Sequence, residues 1–162
     1  MIRPYRESDA DALWALKRGF ELGLGTETGD DGKATKYEAK LDDTYRREYL
    51  DWVERCVAEN ERAVQVAERD GESDPVGYVF VLPASLSYIW DAAVLNEVYV
   101  APAWRGTDVA DALLEAALSV AREQDLPMDR IVLDVDREND RAQAFYERWG
   151  FEHWGEMVAR EL

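Results

Sequence analysis

The sequence predicts an α+β fold in which helices cover both faces of one sheet. Two amphipathic helical patterns come early, a run of β-like segments occupies the middle, and strand and helix patterns alternate to the end. A length of 162 residues with a hydrophobic share of 47% is sufficient for a buried core. We therefore expect residues 1–162 to form one domain.

The first part of the chain predicts a short strand and two helices. Ile2–Tyr5 is predicted as a strand, and Ser8 is expected to cap a helix that ends near the glycines after Phe20. Residues 23–43 are polar and glycine-rich, which predicts a mobile loop of the kind that often shapes a substrate mouth. Apolar residues at helical spacing predict a second helix over residues 44–60.

The middle of the chain predicts an antiparallel meander. Ala63–Glu68 and Val76–Leu82 are β-like runs, and the turn-rich Arg-Asp-Gly-Glu-Ser-Asp-Pro segment between them is typical of a hairpin. A third alternating run over Ala93–Val100 predicts another strand, which pairs with the hairpin if the meander continues.

The last third predicts an alternation of strands and helices. A helix is expected to begin at Val109, because apolar residues recur on one stripe from there to Ala121. The further elements predicted in this part are a strand over Ile131–Val135, a helix over Asp140–Trp149 and a final strand over His153–Arg160.

The charge of the chain is strongly acidic, with 35 acidic and 19 basic residues and a net charge of −16. A cationic partner, such as a polyamine or a basic peptide, is one interpretation, and a solvated acidic surface is the other. The acidic residues are dispersed, which favours the solvated surface and resembles adaptation to a high-salt cytoplasm, so we expect a halophilic source. No basic patch is available to neutralise phosphates, which disfavours a nucleic-acid partner.

Single residues exclude further classes of protein. Cys56 is the only cysteine, so an intrachain disulfide is excluded, and it falls in the predicted second helix as a small core residue. His153 is the only histidine, which disfavours a zinc site and a Ser-His triad, and we expect no metal. No apolar stretch approaches membrane-spanning length, and the first residues lack an export pattern, so a cytoplasmic protein without a membrane partner is expected.

One segment, residues 98–114, predicts an anion site. An alternating apolar run ends at Pro102, a short loop with Arg105 and Gly106 follows, and the helix begins at Val109. The first N–H groups of a helix have no partner within it, and they suit a phosphate. No Gly-Lys-Ser/Thr follows, so this is not a Walker-type phosphate loop.

Residues 95–114 and 131–151 together resemble the GNAT acetyltransferase superfamily. That family has a strand ending in Val-x-Pro and then Arg/Gln-x-x-Gly-x-Gly/Ala, which is matched here by Val100, Pro102, Arg105 and Ala110. Its second pattern, Asn-x-x-Ala-x-x-Phe-Tyr-x-x-x-Gly-Phe, is matched by Asn139, Ala142, Phe145, Tyr146, Gly150 and Phe151. The resemblance implies the GNAT fold, with a mixed, mostly antiparallel sheet, and transfer of an acetyl group from acetyl-CoA to an amine by direct attack.

The resemblance also implies a role for each matching position. Tyr146 would donate a proton to the coenzyme A sulfur, and Asn139 would contact the cofactor. The backbone at Val98 and Val100 would pair with the pantetheine arm. The pyrophosphate would be held by the loop and first helical residues, namely Arg105, Gly106, Thr107, Asp108, Val109 and Ala110. Purely structural interpretations stand beside these: a core aromatic for Tyr146, a surface arginine for Arg105 and a helix N-cap for Asn139.

Glu97 is the candidate general base. Strand alternation places it on the face of Tyr99, opposite Val98 and Val100. Members of the resembled family often carry an acidic residue near this position, although a carboxylate is also expected by chance in so acidic a chain. Water, Asp134 and Asp136 are the alternatives for this role.

Asp108 departs from the family pattern, which has a glycine at this position. A carboxylate here favours the helix N-terminus but stands near the expected pyrophosphate, so we expect it to weaken cofactor binding, less so at high salt. If the position requires a positive φ, the side chain adds strain.

Two functions follow from the resemblance. The first is an N-acetyltransferase acting on an amine-bearing small molecule or a protein N-terminus, and the alternative is a non-catalytic module that senses acyl-CoA or binds a protein. The oligomeric state is left open, with a homodimer through the final strands as one alternative.

Overall fold

A computed structural model of the chain describes residues 1–26 and 31–162. The strands within these ranges are β1 (Ile2–Pro4), β2 (Val64–Ala67), β3 (Gly77–Val81), β4 (Ala93–Val100) and β5 (Ile131–Val132). The helices there are α1 (Ala10–Thr26), α2 (Asp31–Lys40), α3 (Asp43–Glu59), α4 (Val109–Glu123) and α5 (Asp140–Arg148). Short 3-10 helices cover Glu7–Asp9, Ala84–Ile89 and Pro102–Trp104. None of the helices described is long and apolar enough to cross a membrane.

The strands form one sheet in the order β1-β2-β3-β4-β5. The first four are antiparallel neighbours, and β5 pairs with β4 in parallel, so the expected mixed, mostly antiparallel sheet is confirmed. The parallel pairing is short, because only Ala93 and Val94 of β4 have partners in β5. Beyond Val94, β4 keeps β3 on one side and has no paired strand on the other among the described residues.

A β-bulge at Asn96 determines which side chains of β4 face which layer. Glu97 pairs with Phe80 and Leu95 pairs with Val81, so Asn96 is the additional residue. After the bulge, Val98 packs with the cluster under α4, whereas Tyr99 packs with the cluster on the opposite face. The predicted placement of Glu97 on the Tyr99 face is therefore confirmed.

Two apolar clusters cover the two faces of the sheet, which confirms the predicted layers. On one face, α1 and α3 pack through residues such as Leu13 and Val53 against Val64, Val66 and Phe80. On the other face, the stripe of α4 packs against Val79 and Val81, and its buried members are Val109, Leu113, Leu114, Ala117 and Val120. Burial of this apolar area is the main term that stabilises the fold.

Capping residues explain where several helices begin. The Asp42 carboxylate accepts a 2.8 Å hydrogen bond from the N–H of Tyr45 at the start of α3. Ser8, predicted as a cap, lies instead inside the 3-10 turn before α1. There the Asp9 carboxylate accepts from the N–H of Arg6 at 2.8 Å and binds Arg3, which favours a tight turn over a Ser8 cap.

The loop predicted over residues 23–43 is wrong for most of its described residues, and only 41–42 lie between helices. Helix α1 continues to Thr26, and α2 occupies Asp31–Lys40, while residues 27–30 lie outside the described residues. The glycines suggested a loop, but the helix-forming residues at the end of α2 outweigh them. The ion pair between Lys40 of α2 and Glu21 of α1, 2.7 Å long, adds a contact that the local sequence does not reveal.

The final strand predicted over His153–Arg160 is also wrong. Residues 152–162 are exposed and have no regular secondary structure. The strand predicted over Ile131–Val135 extends only to Val132, so its edge offers a short template for another strand. Residues 152–162 contact the rest of the chain through side chains instead. The Arg130 guanidinium carbon lies 3.9 Å from the centre of the Trp154 ring, and Glu156 forms an ion pair with Arg137.

Candidate active site

The open edge of β4 exposes backbone groups at the residues predicted to meet the pantetheine arm. The N–H of Ala101 bonds to the carbonyl of Val76 on the β3 side, at 2.8 Å. Because hydrogen-bonding directions alternate along an antiparallel strand, the N–H and C=O groups of Val98 and Val100 point away from β3. The Val100 carbonyl accordingly accepts from Arg105 Nε at 3.2 Å, so the edge can bind a polar chain.

The loop between β4 and α4 presents several unused N–H groups. Gly106 has a φ of +77°, a left-handed conformation that lets the chain reverse between the 3-10 turn and α4. Thr107 donates to the Trp104 carbonyl at 2.6 Å and accepts from the N–H of Val109 at 3.4 Å. Within the described part of the chain, the N–H groups at positions 106, 107, 108 and 110 donate no hydrogen bond. These groups fit an anion of pyrophosphate type.

Asp108 stands in this loop without backbone strain. Its φ of −75° and ψ of −4° lie in the right-handed helical region, so the strain considered for a positive φ does not arise. Its carboxylate does not cap α4 but forms an ion pair with Arg69 of the β2–β3 hairpin. The Asp108 carboxylate therefore binds the β2–β3 hairpin and not the start of α4.

Tyr146 lies in α5 against the same apolar cluster that contains Val98 and Ala110. Its ring meets Phe145 and Phe151 edge to face, with centroids 5.3 and 5.5 Å away. Burial raises the pKa of Tyr146 to about 12, and its hydroxyl has no hydrogen-bond partner among the described residues. The phenol therefore stays protonated at neutral pH and has a proton to donate.

Asn139 has the structural role that was considered for it. Its side-chain oxygen accepts from the N–H of Ala142 at 3.1 Å and caps α5. The position of α5, and with it that of Tyr146, depends on this cap. The cofactor contact implied for Asn139 stays a prediction.

Glu97 lies on the opposite face of the sheet from Tyr146, at the centre of a buried polar cluster. The residue is only 6% exposed. Oε1 accepts from Lys17 Nζ at 2.6 Å, and Oε2 accepts from the hydroxyls of Tyr49 and Tyr78, each at 2.8 Å. Lys17 Nζ also binds Glu21 Oε1 at 2.5 Å. We call Lys17, Glu21, Tyr49, Tyr78 and Glu97 the Glu97 cluster.

The protonation of the Glu97 cluster follows from burial and charge together. Burial alone would lower the pKa of Lys17, but the charges of Glu97 and Glu21 outweigh it and raise that pKa. Burial raises the pKa values of Tyr49 and Tyr78, and the charge of Glu97 raises both further. The ammonium and the two phenols consequently remain donors to the carboxylates across the neutral range.

Sequence reasoning missed the partners of Glu97. One signal was present, because Lys17 and Glu21 are separated by four residues on the helix that packs on the sheet, and lysines are rare in this chain. Charged residues on a helix face that packs against a core are unusual unless they are paired. Tyr49 and Tyr78 carry no comparable signal.

A second ammonium approaches this cluster from the surface side. Lys40 Nζ lies 2.7 Å from Glu21 Oε2 and stands over the rings of Tyr37 and Tyr45, with centroids 4.5 and 5.4 Å away. The Lys40 side chain is 39% exposed, whereas Glu21 is almost fully buried. Carboxylate and aromatic rings thus surround a cation at the α1–α2 contact.

The remaining candidates occupy other places. Asp134 is exposed, and the Asp136 carboxylate accepts from the N–H of Glu138 at 2.8 Å in the turn before α5. His153 is exposed in the segment after α5. Cys56 is buried in α3, where burial raises the pKa of its thiol and makes it a poor nucleophile. No group of three or more potential metal ligands occurs among the residues described.

A sequence model of the Acetyltransferase (GNAT) family matches residues 27–151, which is most of the chain. The chain belongs to the GNAT acetyltransferase family. The match includes β4, α4 and α5, and so all the residues predicted to bind the cofactor.

Individual GNAT relatives agree with this assignment. An uncharacterized N-acetyltransferase of Mycobacterium bovis is 31% identical over 155 residues, covering 94% of this chain and 89% of that protein. The structure of a ribosomal-protein-alanine N-acetyltransferase from Brucella melitensis matches with a TM-score of 0.70 at 25% identity, over 96% of this chain and 86% of that one. The PaiA N-acetyltransferase of Thermoplasma acidophilum, in complex with coenzyme A, shares the GNAT fold with a TM-score of 0.70 at 18% identity, over 94% and 89% of the two chains.

Proposed function

We propose that the protein is an acetyl-CoA-dependent N-acetyltransferase in which the amine attacks the thioester directly. The observation that carries the proposal is the combination, within the described residues, of unused N–H groups before α4, an open β4 edge, and a tyrosine without a hydrogen bond, Tyr146, in the apolar cluster that contains Val98 of β4. Anion binding, alignment of an extended arm and proton donation to the leaving thiolate are three of the requirements of this transfer.

In this proposal the cofactor is held mainly by backbone groups. The N–H groups of residues 106–110 bind the pyrophosphate, with that of Val109 exchanging its long bond to Thr107 for one to a phosphate oxygen, and Arg105 adds a positive charge beside them. The polar backbone groups of Val98 and Val100 bind the pantetheine arm as a further strand would. Asn139 contacts the cofactor from the start of α5.

Bound acetyl-CoA supplies an acetyl group that is activated as a thioester. The N–H of Val98 polarises the acetyl carbonyl as the amine nitrogen forms its bond to carbon and the bond from carbon to sulfur breaks. Tyr146 gives its phenolic proton to the departing sulfur. The amine loses one proton in this step, and that proton passes to a base or to water.

Glu97 is our proposed acceptor of that proton. Both of its oxygens already accept hydrogen bonds, so it must exchange one of them as it takes the proton. Tyr49 and Tyr78 are suited to this exchange, because a phenol can rotate its hydroxyl away. Lys17 Nζ, 2.6 Å from Glu97 Oε1, keeps its hydrogen bond to the carboxylate during this exchange.

Further proposals concern the setting of the reaction. We propose an amine-bearing small molecule or a protein N-terminus as the acceptor, supported by the ribosomal-protein-alanine acetyltransferase among the similar structures. The dispersed charge of −16 supports a cytoplasm of high salt concentration as the place of action. We also propose that residues 1–162 form one domain and that the protein assembles as a homodimer.

Calorimetric titration of the protein with acetyl-CoA in multimolar KCl tests this function, followed by release of free thiol with a panel of amines. We expect binding, and thiol release that depends on the amine added. Absence of binding would overturn the proposal. Binding without turnover on any amine would favour an acyl-CoA sensor with the same fold.

A further inference from the structure

The ion pair between Arg69 and Asp108 joins a residue that would attract an anion to one that would repel it. Asp108 carries a carboxylate at the start of α4, next in sequence to N–H groups that donate no hydrogen bond within the described chain. Arg69 belongs to the hairpin between β2 and β3, which lies at the same end of the sheet because the first residue of β3 pairs with Val100. Arg69 thus contacts the loop before α4, although it lies outside the two GNAT sequence patterns described above.

The two side chains are unequally exposed. Asp108 is 77% exposed and Arg69 only 26%. Arg69 also lines a surface cavity with Trp104, the residue before Arg105. The neighbouring acid, Glu68, is bound by Arg3 Nε at 2.5 Å, so it does not compete strongly for Arg69. The guanidinium is therefore the more buried partner of this pair, and the carboxylate is the more exposed one.

We propose that Arg69 is a positioning residue that neutralises the Asp108 carboxylate and keeps it turned away from the N–H groups at the start of α4. The inference rests on the proposed binding of a pyrophosphate-bearing cofactor at these groups. Asp108 does not cap α4, although aspartate is among the best capping residues, which agrees with its engagement by Arg69. A free carboxylate at this place would repel the phosphates and compete for the same donors.

The test compares Arg69→Gln in two backgrounds, because a neutralising role exists only while the carboxylate exists. In the natural sequence at low KCl, we expect Arg69→Gln to weaken acetyl-CoA binding about fivefold, with kcat nearly unchanged. In the Asp108→Asn background, which keeps the shape and removes the charge, the same substitution is expected to change affinity less than about twofold. Arg69→Lys is expected to restore most of the affinity.

Arg62→Gln is a matched control for loss of an exposed arginine pair. Arg62 binds Glu123 at 2.7 Å, at the other end of the same helix. This variant removes a comparable ion pair on α4 and is expected to leave acetyl-CoA affinity unchanged. The effect of Arg69→Gln is also expected to shrink in multimolar KCl, where the screening length falls to about 3 Å or less.

Two outcomes would overturn the role of Arg69. One is an equal loss of affinity in both backgrounds, which would show that Arg69 acts on the ligand itself, and the other is no loss in the natural sequence. Inorganic pyrophosphate serves as a second probe in the same titrations. If pyrophosphate binding depends on Arg69 as expected while acetyl-CoA does not bind, the proposed function fails and the role of Arg69 stands. If the protein binds neither probe, both are overturned.

Discussion

Lys17 Nζ lies 2.6 Å from Glu97 Oε1, and each of the two side chains is at most 5% exposed. The pair joins the middle of α1 to the centre of β4. Glu21 is the second partner of the same ammonium, at 2.5 Å. Removal of one member of such a buried group leaves an uncompensated charge in a medium of low polarity, which is far more costly than the loss of a surface pair.

Lys17→Met is therefore expected to lower the free energy of unfolding by about 3–5 kcal/mol, since it leaves Glu97 and Glu21 with too few positive partners. Lys40→Met is the matched control, because Lys40 also binds Glu21 but is partly exposed. We expect a loss of about 1 kcal/mol or less for the control. Urea unfolding monitored by circular dichroism measures both, and equal losses would contradict the central role of Lys17.

Tyr146→Phe tests the proposed proton donor. General acid catalysis contributes roughly 10²–10⁴-fold, so turnover is expected to fall by at least about a hundredfold. Acetyl-CoA affinity and stability should change little, because the hydroxyl has no hydrogen bond within the described structure. The burial that raises its pKa to about 12 keeps the phenol protonated, so its contribution is expected to persist between pH 7 and 10.

Steady-state rates and calorimetric affinities for Tyr146→Phe separate the two effects. Tyr88→Phe, which removes the hydroxyl of a tyrosine that is 74% exposed, is the control. An unchanged rate would remove Tyr146 from the mechanism, and a loss of affinity alone would make it a binding residue.

Glu97→Gln tests the proposed base. With Glu97 in place, the acceptor amine can lose its proton within the site. Without it, only amine that is already neutral reacts, so log kcat/KM is expected to fall by at least about one unit at pH 7 and to rise steadily with pH. Glu21→Gln is the control, because it also removes one carboxylate from Lys17 but lies on α1. Identical pH profiles for the two variants would argue that the cluster serves the fold alone.

The parts of the fold that the sequence predicts well are those with strong periodicity. β4 and the start of α4 are found at the predicted residues, because alternation in Ala93–Val100 and the apolar stripe after Val109 leave few alternatives. Helix α2 and the final segment were mispredicted. In both, the outcome depends on contacts with distant elements, such as Lys40 with Glu21 and the length of the β5 edge.

In the candidate site, too, the sequence predicts local features but not the contacts between distant residues. The face on which Glu97 lies follows from alternation, because its bulge lies before it in β4. Its partners could not be found locally, since Lys17, Tyr49 and Tyr78 are 80, 48 and 19 residues away. Arg69 was missed for the same reason, being 39 residues from Asp108.

Gly106→Ala tests the conformation of the loop before α4. A Cβ at this position would meet nothing within 4 Å, so only the φ of +77° opposes it. We expect a loss of about 1–2 kcal/mol in the free energy of unfolding, together with weaker acetyl-CoA binding. Gly23→Ala in α1 also has open space but no positive φ, and it is expected to stabilise by up to about 1 kcal/mol. A neutral Gly106→Ala would show that the loop tolerates another conformation.

Asp9 provides a test of stability against pH. Its carboxylate accepts two hydrogen bonds from Arg3, at 2.7 and 2.9 Å, and one from the N–H of Arg6. The bonds from Arg3 hold the pKa of Asp9 below its usual value. Because the folded pKa is lowered, this contribution is present above the unfolded value of about 3.9 and is lost as the pH falls through the folded pKa.

Asp9→Asn is accordingly expected to cost about 1.5–3 kcal/mol at pH 7, and less as the pH falls through the lowered folded pKa and the natural side chain becomes protonated. Asp11→Asn removes an acid that is 91% exposed and pairs with Arg46, and its cost should stay below about 1 kcal/mol. Urea titrations at a series of pH values measure the difference between each variant and the natural sequence. A difference for Asp9→Asn that does not shrink with acid would mean that its shape, and not its charge, holds the turn before α1.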